Sequence, residues 1–497
     1  MEIVLHPRAP GDDINSGDDL TCWDRIRVWV GAFQATSAPA LTWRLDGLDA
    51  QPEALLDIES VRSEGLLDGN PDEIPRTFAG LYEFKGLQPD TRYVVSVDTG
   101  EGGAELDIRT LPSEVPKEMD RSFNVLLVSC FHAAEDKNDL AGRIISELGA
   151  SSDPHLTLLS GDQVYLDLPT LADFPDDPRK LAEKFERDYT TNWRGPAGFA
   201  KVLDVAPSIS IPDDHEYWNN YPHPSPFIQN AWSQGGRDNW REAAQAMFKG
   251  FQVPLPNKLG RAFIIEVPPL SFFVADTRSN KDPDRNFTMP AEEHEQLEGW
   301  VTRVVQREQF GIFISGQSVF QDPVSEFAGA TADYELPNYA DYGQIMQTLQ
   351  RLIDEGGRPM MCLTGDVHWG RVAAAQDLVT GRRAITEVIS SPTSLVSTLG
   401  VDTVHKIGGF FSGIFGKSNP WPRHPDPAQP PAFLASDALG NRFPLEMTHG
   451  QKGNQVALLA FRQTGGGLEC RITYWPIHSN ADLARPIELE PFELSRM

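Results

Sequence analysis

The residues of this chain that can do chemistry fall at four places, each just past a short apolar run. Phe123 to Val128 is followed by Ser129-Cys130, and Leu156 to Leu159 by Ser160-Gly161-Asp162-Gln163-Val164-Tyr165. Ser208 to Ile211 is followed by Pro212-Asp213-Asp214-His215-Glu216, and Met360 to Leu363 by Thr364-Gly365-Asp366-Val367-His368-Trp369. The carboxylate of Asp162 has two oxygens and can bridge two cations. Tyr165 offers a phenolate, a hard anionic donor that suits Fe(III) better than Mg²⁺ or Ca²⁺. Cys130 brings a thiolate where a metal depresses its pKa, and His368 adds a neutral nitrogen. So mixed a donor set selects a transition metal. Asp214 and Asp366, with Asp162 shared, are oxygen donors for Ca²⁺, Mg²⁺ or Mn²⁺ at a neighbouring position. Two adjacent cations clamp a phosphoryl group and activate a water. His215, between Asp214 and Glu216, is then held beside the reacting group, where it can protonate a leaving oxygen. Each residue alone has a plainer use. Cys130 is a small buried apolar group, as Cys362 is inside its own run. Tyr165 is a core or rim aromatic, and Asp213-Asp214 is a turn. Four independent occurrences together favour a polynuclear metal site.

The four apolar runs read as buried strands, and in open α/β sheets sites form outside the carboxyl ends of strands. From Phe123 onward, strand and helix patterns alternate. Helices are expected over 140–148, 178–189, 237–249, 290–308 and 343–355, with Pro290 suited to a first turn. A hairpin is expected over 262–267 and 270–275, a strand over 310–315, and a closing hairpin over 455–462 and 468–475 across Gly465-Gly466-Gly467. The fold class is α/β (α+β), in layers. Residues 1–112 have another texture. Arg25 to Val30 and Leu41 to Leu45 alternate, and Leu87-Gln88-Pro89-Asp90-Thr91-Arg92-Tyr93 is a tyrosine-corner pattern. This predicts a small all-β sandwich resembling a fibronectin type III module, a linker at 113–120 and a catalytic domain over 121–497. Residues 401–450, with Phe410, Phe411, Phe415 and Trp421 among many prolines and glycines, read as an irregular insertion: a lid, a rim or a loop.

The 497-residue chain is too long for one ordinary core. With 71 acidic against 43 basic residues its formal net charge is −28. That disfavours nucleic acid or an anionic membrane as a partner, and it asks for local cations if the substrate is anionic. Four cysteines give no disulfide framework. No apolar run approaches spanning length, and the start lacks a basic n-region or twin-arginine pair, so a cytoplasmic location is expected.

Taken in order, Ser129-Cys130, the Gly161 to Tyr165 run, Asp213 to Glu216, Asp276-Thr277-Arg278 and the Gly365 to Trp369 run are similar to the alkaline phosphatase D family of the calcineurin-like metallophosphatase superfamily. The resemblance covers roughly residues 120 to 475. It implies a four-layer αββα sandwich of two packed sheets flanked by helices, preceded by a β-module. It implies Fe(3+) on Cys130, Asp162, Tyr165 and His368, and Ca(2+) on Asp162, Asp214 and Asp366, with Mg(2+) or Mn(2+) as replacements. The activity implied is hydrolysis of phosphomonoesters or phosphodiesters, with a metal-bound hydroxide attacking phosphorus in line. Absence of an export signal departs from well-known members, as does the segment Phe131-His132-Ala133-Ala134-Glu135.

Two substrate contacts are expected. Arg278 either grips a phosphate bidentately or pairs with a carboxylate, and Asn219 and Asn220, just past the Asp213 to Glu216 loop, either ligate or hydrogen-bond, with Asn219 the expected substrate contact. His132, His223 and Gln317 are expected at the surface or in supporting roles. One rival is a phosphodiesterase or phospholipase D-like enzyme that grips a bulky substrate with the 401–450 aromatics. The other is a non-catalytic scaffold on a phosphatase fold, with the β-module as its partner surface.

Overall fold

Runs of Val, Ile, Leu and Phe with no alternating polar face must be buried on both sides, which places them in the middle of a layered molecule. The computed structural model of the chain describes residues 1–12, 22–170, 172–195, 198–252, 261–321, 334–378, 380–394 and 445–497, Trp369 by its backbone only. The first eight strands are β1 (Glu2–Arg8), β2 (Arg25–Ala35), β3 (Thr42–Leu45), β4 (Leu48–Ala50), β5 (Glu53–Ser60), β6 (Arg76–Lys85), β7 (Arg92–Asp98) and β8 (Gly103–Arg109). There follow β9 (Phe123–Val128), α1 (Leu140–Ser152), β10 (Leu156–Ser160), α2 (Pro178–Arg194), α3 (Phe199–Asp204), β11 (Ser208–Ile211) and α4 (Gln234–Phe251). Then come β12 (Phe263–Val267), β13 (Leu270–Val274), α5 (Ala291–Gln306), β14 (Phe310–Ile314), α6 (Tyr342–Asp354), β15 (Met360–Thr364), β16 (Trp369–Asp377) and β17 (Arg382–Ile389). The chain closes with β18 (Leu445–Lys452), β19 (Gln455–Gln463), β20 (Gly467–Pro476), β21 (Ile487–Glu488) and β22 (Phe492–Ser495).

Among the described residues the first sheet runs β21-β20-β19-β9-β10-β11-β1-β2-β6-β5, with β22 on β20. The second runs β12-β13-β14-β15-β17-β16-β18, and a small third one β4-β3-β7-β8. Strands β9, β10 and β11 are mutually parallel, as are β13, β14, β15 and β17. The two large sheets face each other over an apolar layer. Val125, Leu127, Leu158 and Ile209 come from one, and Phe272, Ile312, Met361 and Val388 from the other. Helices α1 to α4 cover the outer face of the first sheet, through Ile145, Leu181, Phe185, Val202 and Trp240. Helices α5 and α6 cover the second, through Leu297, Trp300, Ile345 and Leu349. The four layers are therefore α, β, β, α, as expected.

The small sheet packs on β1, β2 and β6 through Trp43, Val95, Val97 and Ile108 against Val28, Val30 and Phe78. Tyr93 closes its corner as the motif predicts, its hydroxyl accepting the Gln88 N–H at 2.9 Å. Strands β1, β2, β5 and β6, from one side of residue 112, share a sheet with β9, β10 and β11 from the other. The join is the parallel pair Arg8↔Ser208. Strand β1 is not among the expected strands, its His6-Pro7-Arg8 end being polar, yet His6 and Arg8 are buried against Asp204, Trp193 and Ser208.

The expected helices and hairpins are present with ends shifted by a few residues. Pro290 is the N-cap of α5 rather than part of its first turn. Of the expected insertion, 445–450 is strand, part of β18. The rest, with Phe410, Phe411, Phe415 and Trp421, lies outside the described residues. No helix of the described residues is long and apolar enough to cross a membrane.

Candidate metal centre

Strands β9, β10 and β11 of one sheet and β15 of the other deliver their carboxyl ends to one place. The loops there approach so closely that only glycine fits at two positions. Gly161 has φ +98°, and a Cβ on it would lie 2.5 Å from Asp213 Cβ. A Cβ on Gly365 would lie 2.2 Å from the Ser160 carbonyl oxygen. A Gly-Asp pair is uninformative in a sequence, and here both glycines are what lets the two aspartates meet. Cys130, Asp162, Asp366 and His368 all have positive φ, at 54°, 58°, 61° and 59°. Four non-glycine residues in the left-handed region at one place mark backbone strain of the kind that clusters at functional sites.

One potential donor atom each from Cys130, Asp162, Asp366 and His368 lies within 4.8 Å of the others. The same holds for Asp162, Asp213, Asp214 and Asp366, and for Asp162, Asp214 and His215. Asp162 is common to all three groups, as a bridge must be. Its two oxygens face different ways. Oδ2 lies 3.5 Å from Cys130 Sγ and 3.5 Å from the Tyr165 hydroxyl, while Oδ1 accepts the His215 N–H at 3.2 Å. The expected donors Cys130, Asp162, Tyr165, Asp214, Asp366 and His368 thus converge. The groups differ from expectation in detail, since Asp366 also joins Cys130 and His368, and Asp213 joins the carboxylates.

Electrostatics set this cluster apart. Burial pushes the Asp162 carboxyl well above the usual range; Asp214, Asp213 and Glu216 add to it against the opposing pull of His215. Desolvation does the same to Asp366, with Asp213, Glu335, Asp214 and Asp162 all acting in the same direction. Cys130 and Tyr165 are likewise pushed up, by burial first and by Asp162 and Asp366 among their neighbours. A set of buried acids that repel one another's charge is what a polyvalent cation reverses. The donors present, a thiol, a phenol, an imidazole and carboxylates, fit a transition metal beside a harder cation.

His215 is buried, and its Nδ1 lies 2.8 Å from Asp167 Oδ1. Burial pulls the imidazole pKa down, but Asp167, Asp214 and Asp162 outweigh it and hold it well above its ordinary value. The ring packs against Tyr165 at 4.3 Å between centroids. Asn219 is half-buried, and its backbone N–H donates to Asp167 Oδ2 at 2.8 Å. Arg278, expected as a phosphate clamp, instead takes the alternative left open for it. It is fully buried, with Nε donating to Asp213 Oδ1 at 2.6 Å and an NH group to the Tyr221 carbonyl at 2.9 Å. His132 stands edge-on to Tyr165 at 5.5 Å. His223 reaches the Tyr339 hydroxyl at 3.0 Å, and Gln317 is buried on Lys281. Cys362 is core, as expected.

Four participants escaped the sequence reading. Asp167 lies two residues past Tyr165, in a loop already singled out, and its spacing was the available signal. Asp213 was read only as a turn residue. Glu216 braces the site, accepting the N–H groups of Asp162, Gln163 and Asp213 at 2.9, 2.6 and 2.9 Å. Burial lifts its pKa to about 7 against those three donors. Ser391 follows β17, a fifth strand ending at this edge, and a serine carries no ligand signal.

Two packed sheets with helices outside and polar donors at their shared carboxyl edge form a four-layer αββα sandwich. The fold is similar to that of a solved structure of PhoD (alkaline phosphatase D), with a TM-score of 0.59 and 13% sequence identity, covering 99% of this chain and 90% of that one. A second structure, GAP50, the anchor in the inner membrane complex of Plasmodium, is 8% identical and covers 76% of this chain and 89% of that one. Its TM-score of 0.37 carries no argument. No protein-family model matches the sequence, and no curated protein does.

Proposed function

We propose that the protein is a metal-dependent phosphoesterase acting on phosphomonoesters or phosphodiesters. The observation that carries this is the convergence of three donor groups on Asp162 within 4.8 Å. Cys130, Asp162, Tyr165 and His368 would hold iron. Asp162, Asp214 and Asp366 would hold calcium, or magnesium or manganese in its place. When bound, such cations neutralise phosphoryl charge and make a water acidic. The chain's own residues do the rest. Asp162 presents one oxygen to each side of the cluster. Asp167 fixes His215 at Nδ1, which leaves Nε2 to carry the proton for the leaving oxygen. Asn219, anchored through its backbone on Asp167, would meet the substrate. Glu216, locked on three backbone N–H groups, holds the Asp162 and Asp213 loops at a fixed spacing. The similarity to PhoD supports the reading at the level of fold. The domain division into 1–112, 113–120 and 121–497 belongs to the same proposal, the β-module lending β1, β2, β5 and β6 to the first sheet and its small sheet acting as a buttress.

The test is hydrolysis of a chromogenic phosphomonoester and phosphodiester by metal-loaded protein, beside Asp162→Asn. Turnover that is lost in the variant, with the fold intact by circular dichroism, is expected. Equal turnover in both proteins would remove Asp162 from the centre.

A further inference from the structure

The segment Ser390-Ser391-Pro392-Thr393-Ser394 follows β17, which runs parallel to β15, so it emerges at the same edge as the metal loops. All five residues are buried, and buried hydroxyls need partners. Two of the four, those of Thr393 and Ser394, bind the backbone of the first metal loop, and the Ser390 hydroxyl has no hydrogen-bond partner among the described residues. Ser129 Oγ donates to the Ser390 carbonyl at 2.7 Å, and Thr393 Oγ1 to the Ser129 carbonyl at 2.8 Å. Ser394 Oγ donates to the His132 carbonyl at 3.0 Å. The Ser394 and Thr393 N–H groups bind the carbonyls of Cys130 and Ser129. Ser391 differs. Its hydroxyl accepts the His368 N–H at 3.1 Å and lies 3.2 Å from Cys130 Sγ.

A hydroxyl has one proton. With the His368 N–H donating to its oxygen, the Ser391 proton is left to point at the sulfur. The Ser391 side chain therefore ties a donor atom from one sheet to the backbone of a donor from the other.

We propose that Ser391 is a positioning residue for the metal centre, whose hydroxyl, held by the His368 amide, donates a hydrogen bond to the Cys130 sulfur and so sets its donor strength. This role rests on the metal reading given above. Hydrogen bonds to a coordinating sulfur withdraw electron density from it and tune the metal's electronic properties, and outer partners of this sort commonly govern metal affinity.

Co(II) alone, added to metal-free protein, reports on the sulfur through its thiolate-to-cobalt absorption, without any assay of turnover. Wild-type protein is expected to show that band. Ser391→Ala should move it to longer wavelength and weaken Co(II) binding by about tenfold or more. Ser391→Thr, which restores a hydroxyl, should return both toward wild type. Ser391→Val, which has the shape of threonine without its hydroxyl, should shift the band in the same direction as alanine, and serves if the alanine variant does not fold. Thr393→Val removes a neighbouring hydroxyl that binds only backbone and should leave the band in place. A wild-type band that Ser391→Ala or Ser391→Val leaves unmoved would overturn this role alone. A wild-type protein with no thiolate band would overturn it together with the metal assignment of Cys130.

Discussion

Two regions of this molecule bury carboxylates, and they do so in opposite ways. At the junction of β1, β2 and β6, Glu83 and Asp12 meet Arg25 and Arg27. Arg27 Nε donates to Glu83 Oε2 at 2.7 Å and Arg27 NH2 to Asp12 at 3.3 Å, while Arg25 binds Asp12. Burial pushes the Glu83 pKa up, but Arg27, Arg25 and Lys85 outweigh it, so the carboxyl ends below its ordinary value. At the carboxyl edge, by contrast, Asp162 and Asp366 end well above theirs, because further carboxylates surround them. The first cluster is complete within the chain. The second is arranged for charge brought from outside. The same residue type is neutralised by cations in one place and surrounded by like charge in the other.

The comparison breaks most readily at its reactive end. Asp162→Asn is expected to lower turnover by about a thousand-fold or more, the scale of losing a preorganised electrostatic stabiliser, and to abolish metal loading. His215→Asn is expected to lower kcat by roughly 10²–10⁴-fold, the usual worth of general acid–base catalysis. Asp167→Asn should follow it in direction, and both should keep wild-type metal content. Metal lost along with activity in His215→Asn would make that histidine a ligand instead.

The structural cluster predicts stability effects with turnover per folded molecule unchanged. Glu83→Gln leaves the buried Arg27 and the half-buried Arg25 short of a charge and is expected to destabilise the fold by about 3–5 kcal/mol, read from urea unfolding. The pH dependence follows in sign. The folded Glu83 carboxyl lies below its unfolded value of about 4.5, so its contribution is present above that pH and is lost as pH falls through the folded value. The wild-type protein should therefore lose stability on that acid side, and Glu83→Gln should lose less. A variant with an unchanged acid limb would show that Glu83 carries none of it.

The smallest effect sharpens the contrast most. In metal-free protein, Asp162→Asn relieves like-charge repulsion and is expected to stabilise the fold by roughly 0.5–2 kcal/mol. Adding metal should stabilise wild type and leave this variant where it was. A metal-free variant less stable than wild type would mean that Asp162 is held as a structural acceptor rather than as a ligand.

The central strands of the two large sheets were legible because period and burial are local properties, whereas β5, β6, β8, β16, β17 and β18 carried no expectation and the four layers were implied by the family resemblance. Phe123 to Val128 and Met360 to Leu363 carry their own evidence. Most of the donor set was legible too, since Cys, Asp, Tyr and His past strand ends are a chemical signal. What stayed hidden depends on contacts between distant segments. Strand β1 joins β11 about 200 residues away through Arg8 and Ser208, and no local pattern encodes that pairing. Arg278 had two open readings until Asp213 was seen against it. Ser391 and Glu216 act through backbone and sulfur partners contributed by other loops, and their residue types say nothing of it.

Elemental analysis of the purified protein, with a visible absorption spectrum of the same sample, decides whether the carboxyl edge holds metal. Iron together with calcium, magnesium or manganese is expected, with a charge-transfer band that disappears in Asp162→Asn. Protein purified without chelator that holds no metal, and takes none up on reconstitution while folded, would contradict the metal assignment.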